Sequence, residues 1–174
     1  MIRYDENMDQ AYGIKLLDDR TVEKSAHAGS QDTLQCVKAI VNHFIQHPDR
    51  MVVPVYQFED LSTDRSKWGP HPYRYTMKRM GMLDSSEKTI IYLMRERDHY
   101  RSKLNPMERE RLAEALQEHP SMEDFIAEVI RQGRYHDLHD GNVMKDEEEN
   151  YHLIDLEGFL LTPLDRKEND WLRE

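Results

Sequence analysis

The chain has 174 residues, a formal net charge of −10, 33% charged and 38% hydrophobic residues, and a mean hydropathy of −0.88. That size suits one domain, or one domain of two lobes, and the acidity excludes the basic footprint that nucleic acids and anionic membranes require. A single cysteine, Cys36, excludes an internal disulfide; with no span-length apolar run and no hydrophobic signal region, a soluble cytoplasmic protein is expected.

In chain order, Ile2 to Tyr4 reads as a weak strand. Tyr12 to Leu17 and Thr21 to Ala26 flank the turn signal Asp18-Asp19-Arg20, which predicts a hairpin. Ala28-Gly29-Ser30 is expected to break the pattern, with Ser30 or Asp32 capping a helix. That helix carries Leu34, Val37, Ile40, Val41, Phe44 and Ile45 at helical spacing and ends at His47-Pro48. Cys36 is expected to be buried on this face as a small hydrophobe. Met51 to Phe58 is β-rich despite Pro54, which points to an edge or a strand start. Trp68-Gly69-Pro70 reads as loop and Tyr73 to Met77 as a strand. Three helical patterns follow. Ser85 to Leu104 carries Ile90, Ile91, Leu93 and Met94. Asn105-Pro106 opens Pro106 to Glu118. Ser121 with Asp124 opens a third that ends at the glycine cap Gln132-Gly133. The ten methionines read as adaptable core filling.

The most informative stretch is Tyr135 to Phe159. Asp137, Asn142 and Asp155 supply three oxygen-bearing side chains on adjacent segments, a set suited to a hard divalent cation that completes its shell with water and phosphate oxygens. Two other readings use fewer of these residues. A Zn or Mn site from His136, Asp137, His139 and Asp140 leaves Asn142 and Asp155 unused, and a plain turn at Asp140-Gly141-Asn142 leaves Asp137 and Asp155 unused. The acidic run from 145 to 150 reads as a solvated hairpin tip.

Asp137-Leu138-His139-Asp140-Gly141-Asn142 resembles the D-x-H-x-G-N catalytic loop of the protein-kinase-like superfamily, in the form found in aminoglycoside phosphotransferases and atypical bacterial and phage kinases. Leu153-Ile154-Asp155-Leu156-Glu157, 18 residues further on counted from Asp137 to Asp155, resembles the family's metal-binding segment. The resemblance implies an α+β fold with two lobes. A small antiparallel sheet and one helix would occupy residues 1–80, and a reduced, mainly helical lobe residues 81–174, with the catalytic loop at 135–144 and the metal loop at 153–159. It implies ATP and Mg2+ as cofactors and a hydroxyl of a protein or small molecule as acceptor. Asp137 would be the catalytic base, braced by His139, with Asn142 and Asp155 on the metal. Lys24 would clamp the α- and β-phosphates, with Lys15 as the competing lysine. Met77, Lys78 and Met80 would line the adenine site, Met77 as gatekeeper and the others through their backbone.

Three family features are missing. Asp5 to Gln10 stands in place of the glycine-rich loop and has no glycine. The helix from 31 to 47 has no glutamate, so Lys24 must find the Gln35 amide or an acid from elsewhere instead. The 19 residues after Asp155 contain no Ala-Pro-Glu, so the acceptor site is expected from the helices of residues 85–120 or from a partner, a second copy included. The alternative function is a pseudokinase that binds nucleotide or a protein without turnover.

Overall fold

The computed structural model describes residues 13–63 and 66–160; the predicted strand Ile2 to Tyr4 and the glycine-free segment Asp5 to Gln10 lie outside them. Strands β1 (Ile14–Leu16) and β2 (Thr21–Ser30) form the predicted hairpin. Its turn is closed by Asp18 Oδ1, which accepts the Arg20 amide at 2.8 Å, the self-bonding that suits aspartate to turns. Ala28-Gly29-Ser30 does not end β2. The strand passes through a register shift between Ala28 and Ser30 and still pairs Ser30 with Trp68. Ser30 then caps helix α1 (Gln31–Gln46), its hydroxyl accepting the Thr33 amide at 3.1 Å, one of the four N–H groups a helix start leaves unbonded. Asp32 sits in the first turn rather than at the cap, where its charge suits the helix dipole. The predicted stripe Leu34, Val37, Ile40, Val41 and Phe44 is buried. Cys36 is only half-buried, because it stands on the flank of that stripe.

Pro54 divides the predicted strand Met51 to Phe58. Beyond it runs β3 (Val55–Asp60). Before it, Val52 makes a parallel bridge to Leu153, with Val53 N donating to Leu153 O at 2.9 Å and Leu153 N to Met51 O at 2.8 Å. Strand β4 (Trp68–Lys78) is longer than predicted, since Trp68-Gly69-Pro70 extends it alongside the end of β2. Its residues His71, Tyr73, Tyr75 and Met77 are buried in strict alternation, the period-two pattern of a strand with one covered face. The four strands form one antiparallel sheet in the order β1-β2-β4-β3, and α1 packs on it.

The chain leaves β4 through Arg79 to Leu83, where Gly81 bridges Lys145 (Gly81 N to Lys145 O 2.6 Å). Helix α2 (Ser85–Met94) starts with a capping box of Asp84 and Glu87, two N–H groups satisfied reciprocally. The helix predicted to reach Leu104 stops well short. A π-helical turn, Arg95–His99, widens it, and Arg101 has φ 59°, which closes it. Helix α3 (Pro106–Glu118) has Asn105 as cap and proline in its first turn, as its sequence requires. Helix α4 (Pro120–Gln132) begins with Pro120, just ahead of Ser121, and ends at Gly133 with φ 64°, a left-handed conformation that glycine adopts without Cβ strain. No described helix is long and apolar enough to cross a membrane.

A loop then leads through a 3-10 turn, Asp140–Asn142, into the hairpin β5 (Val143–Lys145) and β6 (Tyr151–Leu153), and on to a second 3-10 turn, Leu156–Phe159. The acidic hairpin turn is not all solvated. Asp146 is buried and accepts the amides of Glu148 and Asn150 at 2.9 Å each and faces His152 Nε2 at 3.0 Å. Phe159 packs on Phe44 (ring centroids 5.0 Å) and Tyr135 (4.9 Å). Those contacts seat the end of α1 over the segment that carries Asp155.

Candidate active site

Alternation along β2 sends Lys24 to the same face as the buried Val22, and in β4 its direct partner is Tyr75. From there the Lys24 ammonium reaches Asp155 Oδ1 at 2.9 Å and Glu157 Oε2 at 2.8 Å, across 131 and 133 residues of chain. Lys15, the rival lysine, lies on the exposed edge strand opposite Glu23. Burial works against the Lys24 charge, but the attraction of Glu157 and Asp155 outweighs it and raises its pKa. The acid for Lys24, which helix α1 does not provide, is thus supplied by the segment Asp155 to Glu157.

Glu157 is the functional residue that motif matching missed. Tyr73 OH donates to its Oε1 at 2.7 Å and Tyr75 OH to its Oε2 at 2.9 Å. Burial would raise its pKa, yet the hydrogen bonds from Asp155, Lys24 and Tyr73 hold it below the ordinary carboxylate range. Asp155 moves the other way. Burial and the hydrogen bond shared with Glu157 raise it to about 6, against the pull of Lys24. Two carboxylates face one ammonium, so Asp155 gives up its proton at higher pH than Glu157 does. Part of the signal was in the sequence: Tyr73 and Tyr75 alternate onto one face of β4, whereas Asp155 and Glu157 are brought together by the 3-10 turn that starts at Leu156.

The Asp137 loop is braced as its residues imply. Asn142 Nδ2 donates to Asp137 O at 2.8 Å and Oδ2 at 3.0 Å. His139 Nδ1 accepts the Gly141 amide at 3.0 Å, while its Nε2 stands 3.6 Å from Asp137 Oδ2. The Asp137 side chain is 58% exposed, open to an incoming group. Asn142 is buried, and its carbonyl accepts Ile154 N at 3.0 Å, which sets Asp155 one residue from the Asn142 backbone. Tyr135 OH donates to Asp155 O at 2.8 Å. Asp137, Asn142, Asp155 and Lys24 therefore form one chain of contacts.

Met77 and Met80 are buried at the end of β4 and the start of the connection. Lys78 turns its side chain to Glu147 at 2.9 Å, and its amide donates to Pro54 O at 2.8 Å. The amides of Arg79 and Gly81 are bonded to Arg20 O and Lys145 O, whereas that of Met80 bonds to no described backbone group.

The donor chemistry suits a hard cation. Asn142 Nδ2 is spent on Asp137, so its Oδ1 is the free end, and Asp155 adds a carboxylate whose charge Lys24 does not fully balance; oxygen donors few in number fit Mg2+. Elsewhere, Asp84, Glu87 and His119 form a His-carboxylate trio among the described residues. There the capping box, Lys145 at 2.8 Å from Glu87 and His119 at 2.9 Å from Asp84 already answer the charges. No protein-family model and no curated protein matches the chain.

Proposed function

We propose that the protein is a kinase-like phosphotransferase, moving the γ-phosphate of ATP to a hydroxyl with Mg2+ as cofactor. The observation that carries this reading is the meeting of Lys24, from the sheet, with Asp155 and Glu157, beside the loop that presents Asp137 and Asn142. The sheet order and the placement of α1 between β2 and β3 support a two-lobed reading, with the connection near Arg79 to Gly81 as the boundary. Asp137 would orient the acceptor hydroxyl and take its proton, with His139 and Asn142 fixing its rotamer. Asn142 and Asp155 would hold the cation, which would supply charge neutralisation at the phosphates. Lys24 would release one carboxylate to a phosphate as the nucleotide enters. Because the transition state is loose, positioning and charge balance carry most of the rate. An ATP-dependent enzyme with one half-buried thiol also accords with a cytoplasmic setting.

A second reading, nucleotide or partner binding without turnover, is favoured by one feature: Lys24 is already held by two carboxylates. Thermal unfolding with Mg·ATP, with ATP plus chelator and with nucleotide-free Mg2+ tests binding. A ligand at 100 times its Kd adds roughly 2.7 kcal/mol, and no shift with any nucleotide sinks both nucleotide readings. Transfer of labelled γ-phosphate then separates them. Asp137→Ala should keep the Mg·ATP shift and lose transfer by about 10²–10⁴-fold, the usual worth of a general base. Binding with no transfer by the wild type favours the pseudokinase.

A further inference from the structure

The loop bearing Asp137 rests on Arg95, and among the described residues this arginine has no acidic partner. Its NH1 donates to Leu138 O at 3.0 Å, and the rings of Tyr92 and Tyr100 lie 6.0 and 5.6 Å from the guanidinium. Among the described residues it makes no ion pair, although the chain has 34 acidic residues. A guanidinium has five N–H donors. Only NH1 is engaged, and Nε is buried with no partner. Arg95 also opens the π-helical turn, a distortion that recurs at functional sites because it re-aims side chains at a cost in helix geometry.

The same turn walls a cavity of about 120 Å³ lined by Arg95, His99, Tyr100, Tyr135, His136 and Asp137, among others. The lining therefore combines a cationic and aromatic part, Arg95 with Tyr100, and the candidate base Asp137. We infer that this cavity receives the acceptor, and that the acceptor is a small hydroxyl-bearing anion whose carboxylate or phosphate pairs with Arg95 while its hydroxyl faces Asp137. The inference rests on the phosphotransferase reading. Net charge alone points toward cationic substrates. The local field at Arg95 reverses that, since a cationic acceptor would meet an unneutralised guanidinium. Size decides between small and large acceptors: drug-sized ligands need roughly 300–1,000 Å³, so a compact acceptor fits. In the step, the acceptor hydroxyl gives its proton to Asp137 and its oxygen bonds to the γ-phosphorus. The bond from that phosphorus to the bridging oxygen breaks, and ADP leaves with the electron pair.

The test compares acceptors with Mg·ATP: glycerol 3-phosphate and glycerate as anions, glycerol as the uncharged control, choline as the cation, and an acidic serine peptide. The expected result is a kcat/KM for the anions at least about tenfold above glycerol and choline, expressed mainly in KM. Arg95→Gln should cost the anionic acceptors about tenfold more than it costs glycerol, and Arg95→Lys should recover part of it. Equal or better turnover of choline or glycerol, faster turnover of the peptide, or an equal loss on all acceptors in Arg95→Gln overturns the inference. The last outcome would mean that Arg95 only props the loop. A parallel titration with inorganic phosphate, followed by the arginine Nε–H NMR signals, decides the cavity without turnover. A saturable shift of the Arg95 signal, lost in Arg95→Gln, supports it, and no shift overturns it. Failure to bind Mg·ATP would instead overturn the nucleotide reading, leaving the phosphate titration to judge the cavity alone.

Discussion

Neutralising Asp155 should stabilise the protein while destroying its site. The carboxyl is raised from an ordinary 3.8 to about 6 by burial and by Glu157, so the folded state holds its proton more tightly than the unfolded chain. The stability this brings is fully present below about pH 3.8 and is lost as pH rises through about 6. At 1.36 kcal/mol per tenfold change in proton affinity, the ionised form costs about 3 kcal/mol at pH 8. Asp155 and Lys24 are 27% and 17% exposed, so solvent screening lowers the expectation to about 1–3 kcal/mol. Asp155→Asn mimics the protonated acid, keeps its shape and should recover that amount at pH 8. Near pH 4 the variant and wild type should be nearly equal. Urea denaturation of both proteins at pH 4, 6 and 8 measures the difference, and the same samples should lose Mg·ATP-induced stabilisation in the variant. If Asp155→Asn were destabilised at pH 8, or if its effect were independent of pH, the two carboxylates would not be competing for one ammonium.

Two further substitutions probe the supports of the site. Lys145→Met leaves the fully buried Glu87 with the Asp84 amide on Oε1 and His119 Nδ1 4.0 Å from Oε2 and should cost about 3–5 kcal/mol, as broken buried pairs do; adding Glu87→Gln should recover at least half of it in a double-mutant cycle. Gly158→Ala would drive a methyl into the Tyr135 ring, whose hydroxyl holds Asp155 O. A loss of about 1–3 kcal/mol and a fall in transfer of about a hundredfold are expected, while Gly29→Ala, which meets open space, should do neither. Melting curves and the transfer assay check both.

The elements legible in the sequence are those whose cause is local. The stripe on α1, the Asn105-Pro106 start of α3, the Gly133 stop of α4 and the turn at Asp18 each follow from side chains within a few residues of the backbone they bond. Misjudged boundaries have distant causes. The length of β4 comes from pairing with the end of β2, and the early end of α2 comes with the π turn that serves the Asp137 loop. Half-burial of Cys36 depends on how α1 is rotated against the sheet, which a stripe of apolar residues specifies only to within its own width.

The donor types and spacing of Asp137, Asn142 and Asp155 brought them forward as candidates, and the family resemblance, with a helix following directly on its strand, singled out Lys24. Which carboxylates would meet Lys24, and that Arg95 would line a cavity with Asp137 and pair with no acid among the described residues, only the tertiary structure decided. Those relations join residues from distant parts of the chain, some of them more than a hundred positions apart. Ion pairing across such distances is determined by where the packed core carries each backbone, and local sequence holds no record of it.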